Sequence, residues 1–241
     1  MNLVIDVGNS SVKSAIFDGN TLKYSTSSSY EQAEIVLRNL LEDYKPKQAI
    51  VSNVGPDLND VLTVLKKELT LLELNRHTNM PFDNNYGTPD TLGVDRLALA
   101  AAACSQYPKK DVLIIDTGTC ITYDFVNRKG AYLGGAISPG IQMRYKALHE
   151  YTENLPLLNA PSQINLIGDS TKASIHSGIV YGVVNEIEGR IEAFRKENED
   201  LTVVLTGGDT YFLANRVKNS IFANPNFLLE GLNTILIHNI E

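Results

Sequence analysis

Apolar and polar positions along the chain follow one plan twice. Leu3–Phe17, LVIDVGNSSVKSAIF, is a β-branched run ending in Asp-x-Gly and a small polar residue, then a second apolar stretch. Val112–Phe125, VLIIDTGTCITYDF, keeps the same order, and aligning Asp6 with Asp116 also aligns Gly8 with Gly118 and Asn9 with Thr119. Short apolar runs cut by a glycine turn predict buried strands folded into a hairpin. Asp and Gly are also ordinary turn residues, so either stretch alone would predict only a turn. Two matching copies, each opening about half of the chain, predict two related α/β halves facing a shared cleft.

The rest of the pattern fills in each half. After the first hairpin, Gly19-Asn20 predicts a turn and Ser25–Ser29 an exposed polar segment. Ala33, Val36, Leu37, Leu40, Leu41 and Tyr44 recur at helical spacing over Glu31–Tyr44, and Pro46 ends that helix. Ala49–Ser52 and Thr70–Leu74 read as strands on either side of a second helix, capped by Asp57 with Leu58, Val61, Leu62 and Leu65 on its apolar face. The polar stretch Asn79–Thr91, with Tyr86 near its middle, reads as a long loop, either a linker or functional. Leu92–Arg96, LGVDR, then opens an alanine-rich helix running to about Tyr107. Asp95 there is either a helix-capping acid or a working carboxylate, and Arg96 a solvated charge or a ligand group.

In the second half a turn at Asn127–Gly130 is followed by Ala131–Ile137, and Gly134–Gly140, GGAISPG, leads into a helix over Gln142–Tyr151. Its glycines suit either close approach of backbone amides to an anion or tight packing of strand on helix. Thr152–Ile167 reads as loop, and Asp169-Ser170-Thr171 starts the longest helix, to about Asn198. Its stripe of Ile175, Ile179, Val183, Ile187, Ile191 and Phe194 predicts core or subunit contact. Leu201–Thr206 is a strand ending in Thr206–Asp209, TGGD, and short helices near Tyr211–Val217 and Glu230–His238 close the chain.

Composition narrows the function. At 241 residues with 43% hydrophobic and 20% charged, the chain can bury a substantial core in one large domain or two small ones. A net charge of −7 with no dense Lys/Arg run argues against nucleic acid as a partner. The opening MNLVIDVG has no basic leader, so no signal peptide is expected, and no apolar run reaches the length of a membrane span. Cys104 and Cys120 lack metal-type spacing and fit a reducing cytoplasm. There is neither a GxxxxGK[ST] loop nor a GxGxxG after the first strand, which removes the P-loop and dinucleotide signatures. Glycine hairpins, Lys13 and carboxylates able to hold a cation remain, and these are the parts that grip nucleotide phosphates. The Thr206–Gly208 turn could lie against a nucleobase or ribose.

These features resemble the superfamily of sugar kinases, actin and heat-shock chaperone ATPases, and over nearly the whole chain they resemble type III pantothenate kinases. The residues carrying the likeness are DVGNSSVK at Asp6–Lys13, LGVDR at Leu92–Arg96, DTGTC at Asp116–Cys120, GGAISPG at Gly134–Gly140 and TGGD at Thr206–Asp209. The chain departs at Ser10, where Thr is common, and at Cys120, where Ala is common.

The resemblance implies a duplicated actin-like ATPase fold, ribonuclease H-like in each half, with two mixed sheets and helices around a central cleft. The halves would be 1–110 and 111–241. It implies ATP-dependent phosphorylation of pantothenate to 4'-phosphopantothenate, the first step of coenzyme A biosynthesis, by a cytoplasmic homodimer. By motif match, Asp6, Val7, Gly8, Asn9, Ser10, Ser11, Val12 and Lys13 would hold the ATP phosphates, with Asp6 placing Mg2+, and Thr119 would reach the nucleotide from the second hairpin. Asp95 would be the general base. Tyr86, Gly93, Val94, Asp95 and Arg96 would form the pantothenate pocket, completed by Thr171 of the partner subunit. Asp116 would hold a monovalent cation, K+ or NH4+. Another small-molecule kinase of the superfamily is the nearest competitor, and the Tyr86 loop followed by Asp95-Arg96 argues against it. An ATP-gated regulatory protein without transfer activity is the other, though 241 residues leave no room for the large extra subdomains of actin-like and chaperone relatives.

Overall fold

The structure is a computed structural model that describes residues 1–56 and 59–240. Its strands are β1 (Asn2–Val7), β2 (Val12–Asp18), β3 (Thr21–Ser28), β4 (Gln48–Asn53), β5 (Thr70–Glu73), β6 (Asp83–Asn84), β7 (Val112–Thr117), β8 (Cys120–Val126), β9 (Ala131–Pro139), β10 (Thr202–Thr206) and β11 (Phe222–Ala223). Its helices are α1 (Tyr30–Tyr44), α2 (Asn59–Glu68), α3 (Val94–Gln106), α4 (Ile141–Glu150), α5 (Thr171–Glu197), α6 (Thr210–Ala214) and α7 (Phe227–Ile240), with a 3₁₀ turn at Pro89–Thr91. The expected cap Asp57 and its neighbour Leu58, with the side chain of Val61, lie outside the described residues.

The chain forms two compact units. One contains Met1–Lys109, Lys129–Leu133 and Asn226–Glu241, the other Lys110–Arg128 and Gly134–Pro225. Neither unit is a continuous stretch of chain, since two later segments group with the first.

In the first unit the strand order is β3-β2-β1-β4-β5. β1 pairs antiparallel with β2 and parallel with β4, and β4 runs parallel to β5. In the second unit the order β11-β10-β7-β8-β9 repeats this plan strand for strand. β7 pairs antiparallel with β8 and parallel with β10, which runs parallel to β11. The expected duplication is therefore present as topology, on two mixed sheets with helices.

Every residue of β1 is buried, so both of its faces are covered. Leu3, Ile5 and Val7 point to a core built with Ala33, Leu37 and Leu40 of α1. The other face meets α7, where Asn2 Nδ2 donates to Asn233 Oδ1 at 2.9 Å in a buried pair, and Asn233 Nδ2 donates to Gly19 O at 2.9 Å. That packing explains why the C-terminal helix belongs to the first unit. In the second unit, Ile175, Ile179, Val183, Ile187 and Ile191 of α5 lie in one core with Leu113, Ile115, Val203 and Leu205. The stripe on the long helix is core.

The structure adds detail to three segments. The segment expected to be polar and exposed, Ser25–Ser29, is largely exposed and lies mostly in β3, an edge strand whose residues alternate little because one side is open. The Asn79–Thr91 loop contains β6, which pairs in parallel with Ala131 and Tyr132 at the start of β9. Gly134–Pro139 is strand, and its glycines allow the tight packing that was one of two readings: a Cβ on Gly135 would stand 1.5 Å from Tyr123 O, and one on Gly140 would stand 2.2 Å from Gly118 O.

Candidate active site

In the first unit the glycine turn between β1 and β2 spans Gly8–Ser11 and is closed by Gly8 N donating to Ser11 O at 3.1 Å. Its position is fixed from below. The Tyr30 hydroxyl donates to Gly8 O, Val54 N donates to Val7 O at 3.0 Å, and a Cβ on Gly55 would stand 2.1 Å from Gly8 O. Tyr30 and Gly55 were not legible as site residues, because their role lies in a contact far along the chain.

Asp6 stands at the end of β1 opposite Lys13 of β2 and beside Ser52 of β4. Burial pushes its carboxyl up to about 6. The Lys13 ammonium works against that shift, and the Asp95 carboxylate adds to it. Asp6 Oδ1 is buried and meets no donor at full hydrogen-bond geometry, although the neighbouring Ser52 hydroxyl also works against the upward shift. A buried carboxylate oxygen left open in this way is costly unless a cation or water meets it.

Gly93 caps α3, with Val94, Asp95 and Arg96 forming its first turn. Asp95 folds back on that turn: its Oδ1 accepts from Arg96 N at 2.8 Å and lies 2.4 Å from where a Cβ on Gly93 would be. A carboxylate at a helix N-terminus is favoured by the dipole there. Asp95 therefore serves as an acid of the first helical turn, yet stays half-buried and close enough to Asp6 to act on its titration. Arg96 is buried, and its guanidinium carbon lies 5.5 Å from the Tyr86 ring centroid and 6.0 Å from that of Tyr132. It is not the solvated charge that the sequence alone left open. The first unit thus gathers Tyr86, Gly93, Val94 and Asp95 around Arg96, with Asp6 and Lys13 nearby through Asp95.

In the second unit the matching turn is tighter, Gly118-Thr119 alone, with Gly118 N donating to Cys120 O at 3.0 Å. Gly140 N donates to Thr119 O at 3.1 Å, tying the start of α4 to that turn. Asp116 lies beside the TGGD turn: Gly207 takes φ +97°, and a Cβ there would stand 2.3 Å from Asp116 Oδ1. Asp209 N donates to Thr117 O at 3.0 Å, and Thr117 Oγ1 donates to Thr206 O at 2.7 Å. Burial raises the Asp209 carboxyl above its ordinary value. Thr171 is exposed at the first position of α5, after Ser170, whose hydroxyl accepts from Ala173 N at 3.3 Å.

Two mixed sheets of one topology, each presenting an acidic glycine hairpin, give the chain a duplicated actin-like fold. Solved structures agree at the level of fold. A Campylobacter jejuni protein named as a conserved Baf family transcriptional activator aligns with TM-score 0.62 and 22% identity, covering 98% of each chain. An activator of 2-hydroxyisocaproyl-CoA dehydratase from Clostridium difficile, with bound ADPNP, aligns with TM-score 0.54 and 13% identity over 99% of this chain and 93% of that one. The sequence profile of the type III pantothenate kinase family matches residues 2–193. Type III pantothenate kinases of Flavobacterium psychrophilum and Christiangramia forsetii are each 48% identical, the first over 98% of both chains and the second over 99% of both. The chain belongs to the type III pantothenate kinase family.

No helix among the described residues is long and apolar enough to cross a membrane.

Proposed function

We propose that this protein transfers the γ-phosphate of ATP to the primary hydroxyl of pantothenate, giving 4'-phosphopantothenate at the entry to coenzyme A biosynthesis. The observation that carries the reading is the first turn of α3, where a base candidate and a buried guanidinium sit side by side next to a phosphate-type hairpin. Asp95 accepts the proton of the attacking hydroxyl as the new bond to phosphorus forms, an effect of roughly 10²–10⁴-fold. Its hydrogen bond from Arg96 N holds the carboxylate in one orientation until then. Arg96, with Tyr86, Gly93 and Val94, receives the acceptor, and its guanidinium suits the pantothenate carboxylate. Thr171 of a second copy completes that pocket in a homodimer.

On the donor side the amides and hydroxyls of Val7–Val12 and the Lys13 ammonium take up the phosphate oxygens; in the second unit Thr119 is the candidate for contact with the nucleotide. The open, buried Oδ1 of Asp6 fits a magnesium ion, which would neutralise charge on the transferring phosphates. Asp116 is the candidate for holding K+ or NH4+. Residues 1–110 and 111–241 are read as the two copies of an ancient duplication, working in the cytoplasm.

Purified protein incubated with Mg2+, K+ and ATP tests the reading directly. ADP formation should depend on added pantothenate and yield a phosphorylated product; steady ADP release indifferent to pantothenate would favour the regulatory alternative.

A further inference from the structure

Tyr132 takes no part in the function assigned so far, yet the first unit builds its acceptor segment on it. The backbone of Asp83–Asn85 is tied to the strand that carries it: Asp83 N donates to Gly130 O at 3.1 Å and Asn85 N to Tyr132 O at 2.9 Å. The Tyr132 ring, fully buried, lies 6.0 Å from the Tyr86 ring at 38° and 6.4 Å from the Phe82 ring at 66°. Arg96 faces both tyrosines, with its guanidinium carbon 5.5 Å from one ring and 6.0 Å from the other.

A guanidinium keeps its charge at every accessible pH and is drawn to ring faces, more strongly where water is excluded. Two rings at once restrict the tilt of its plane as well as its place. That matters for a carboxylate, because a paired contact needs both N–H bonds in the plane of the two oxygens. We propose that Tyr132 is a positioning residue for the acceptor: it orients Arg96 toward the acceptor's carboxylate and holds the Tyr86 loop over it. The inference rests on the reading of Arg96 given under the proposed function, and it concerns acceptor binding alone.

Steady-state kinetics of the full chain separate these roles. Tyr132→Leu should raise KM for pantothenate about tenfold, while KM for ATP and kcat at saturating pantothenate stay within about twofold to threefold. Tyr132→Phe keeps the ring face and should restore KM. Phe82→Leu removes a neighbouring ring that packs on Tyr132, so it should lower the thermal midpoint with pantothenate KM near wild type. If the leucine variant does not fold, Tyr132→Met, of similar bulk without a ring, takes its place. A folded leucine or methionine variant with unchanged pantothenate KM overturns the proposal, as does an equal rise in Phe82→Leu. Wild-type protein that turns over ATP but not pantothenate would instead remove the underlying reading of Arg96.

Discussion

Gly93 matters through the side chain two positions further on. A Cβ there would stand 2.4 Å from Asp95 Oδ1, so alanine and the present carboxylate position exclude each other. The obstructing atom is the end of a side chain that can rotate, so the helix itself need not shift. Gly93→Ala is therefore expected to cut kcat by on the order of a hundredfold through misplacement of the base, with little change in thermal midpoint. A variant as active as wild type would show that Asp95 need not sit where the structure puts it. Asp95→Asn should lower kcat by roughly 10²–10⁴-fold and leave the ATP KM near wild type. Asp6 makes a pH-dependent case. Its folded pKa of about 6 lies above the ordinary 3.8, so the folded chain holds this proton more tightly than the unfolded one across that window. Stability from this group is present below the ordinary value and is lost as pH rises through about 6. Without magnesium, the thermal midpoint of Asp6→Asn should rise relative to wild type as pH goes from acid to neutral. A difference independent of pH would contradict a buried, titrating Asp6. With magnesium, the wild-type KM for MgATP should worsen below about pH 6, where protonated Asp6 no longer offers a charge to the ion.

At the scale of elements, the alanine run of α3 has a steric reason. Ala98–Ala103 are buried where α3 packs on α7, and a Cβ on Gly231 would stand 1.9 Å from Ala98 O. Backbone cannot rotate aside as a carboxylate can, so the two helices would have to separate. Gly231→Ala is expected to cost about 1–3 kcal/mol, read as a lower midpoint in denaturant with an unchanged slope. The run itself was plain in the sequence; its partner was not, because α7 lies at the far end of the chain. The same division holds elsewhere. The hairpins, the α5 stripe and the start of α3 follow from local periodicity, so spacing alone located them. β3 escaped because an edge strand with an exposed face shows no clear alternation, and β6 because a two-residue strand exists only through its pairing with Ala131 and Tyr132. The surroundings of Tyr132 escaped for that reason too: nothing near it in sequence marks it, and its neighbours Tyr86 and Arg96 are brought to it by the fold.

At the scale of the whole molecule, the doubled plan was visible as two Asp-x-Gly hairpins, and the sheets repeat it in the same strand order. The two hairpins nonetheless differ. The first turn spans Gly8–Ser11 and is braced by Tyr30, while the second is Gly118-Thr119 alone and abuts Gly140. The wider turn leaves more amides free of strand pairing than the narrower one does. The proposed homodimer adds a further level, since Thr171 would serve the site of the other copy. Thr171 is exposed at the start of α5, so Thr171→Arg should fold normally and yet obstruct the partner's acceptor pocket. Asp95→Asn disables the base within its own copy. Co-expressing the two variants under separate tags and purifying the mixed dimer distinguishes shared from self-contained sites. If sites are shared, one site of the mixed dimer carries both changes and the other carries neither, so about half the wild-type activity per dimer should return. If each copy builds its own site, both sites of the mixed dimer carry one lesion and activity stays at the level of the parents. A Thr171→Arg protein that is fully active alone would take Thr171 out of the pocket altogether.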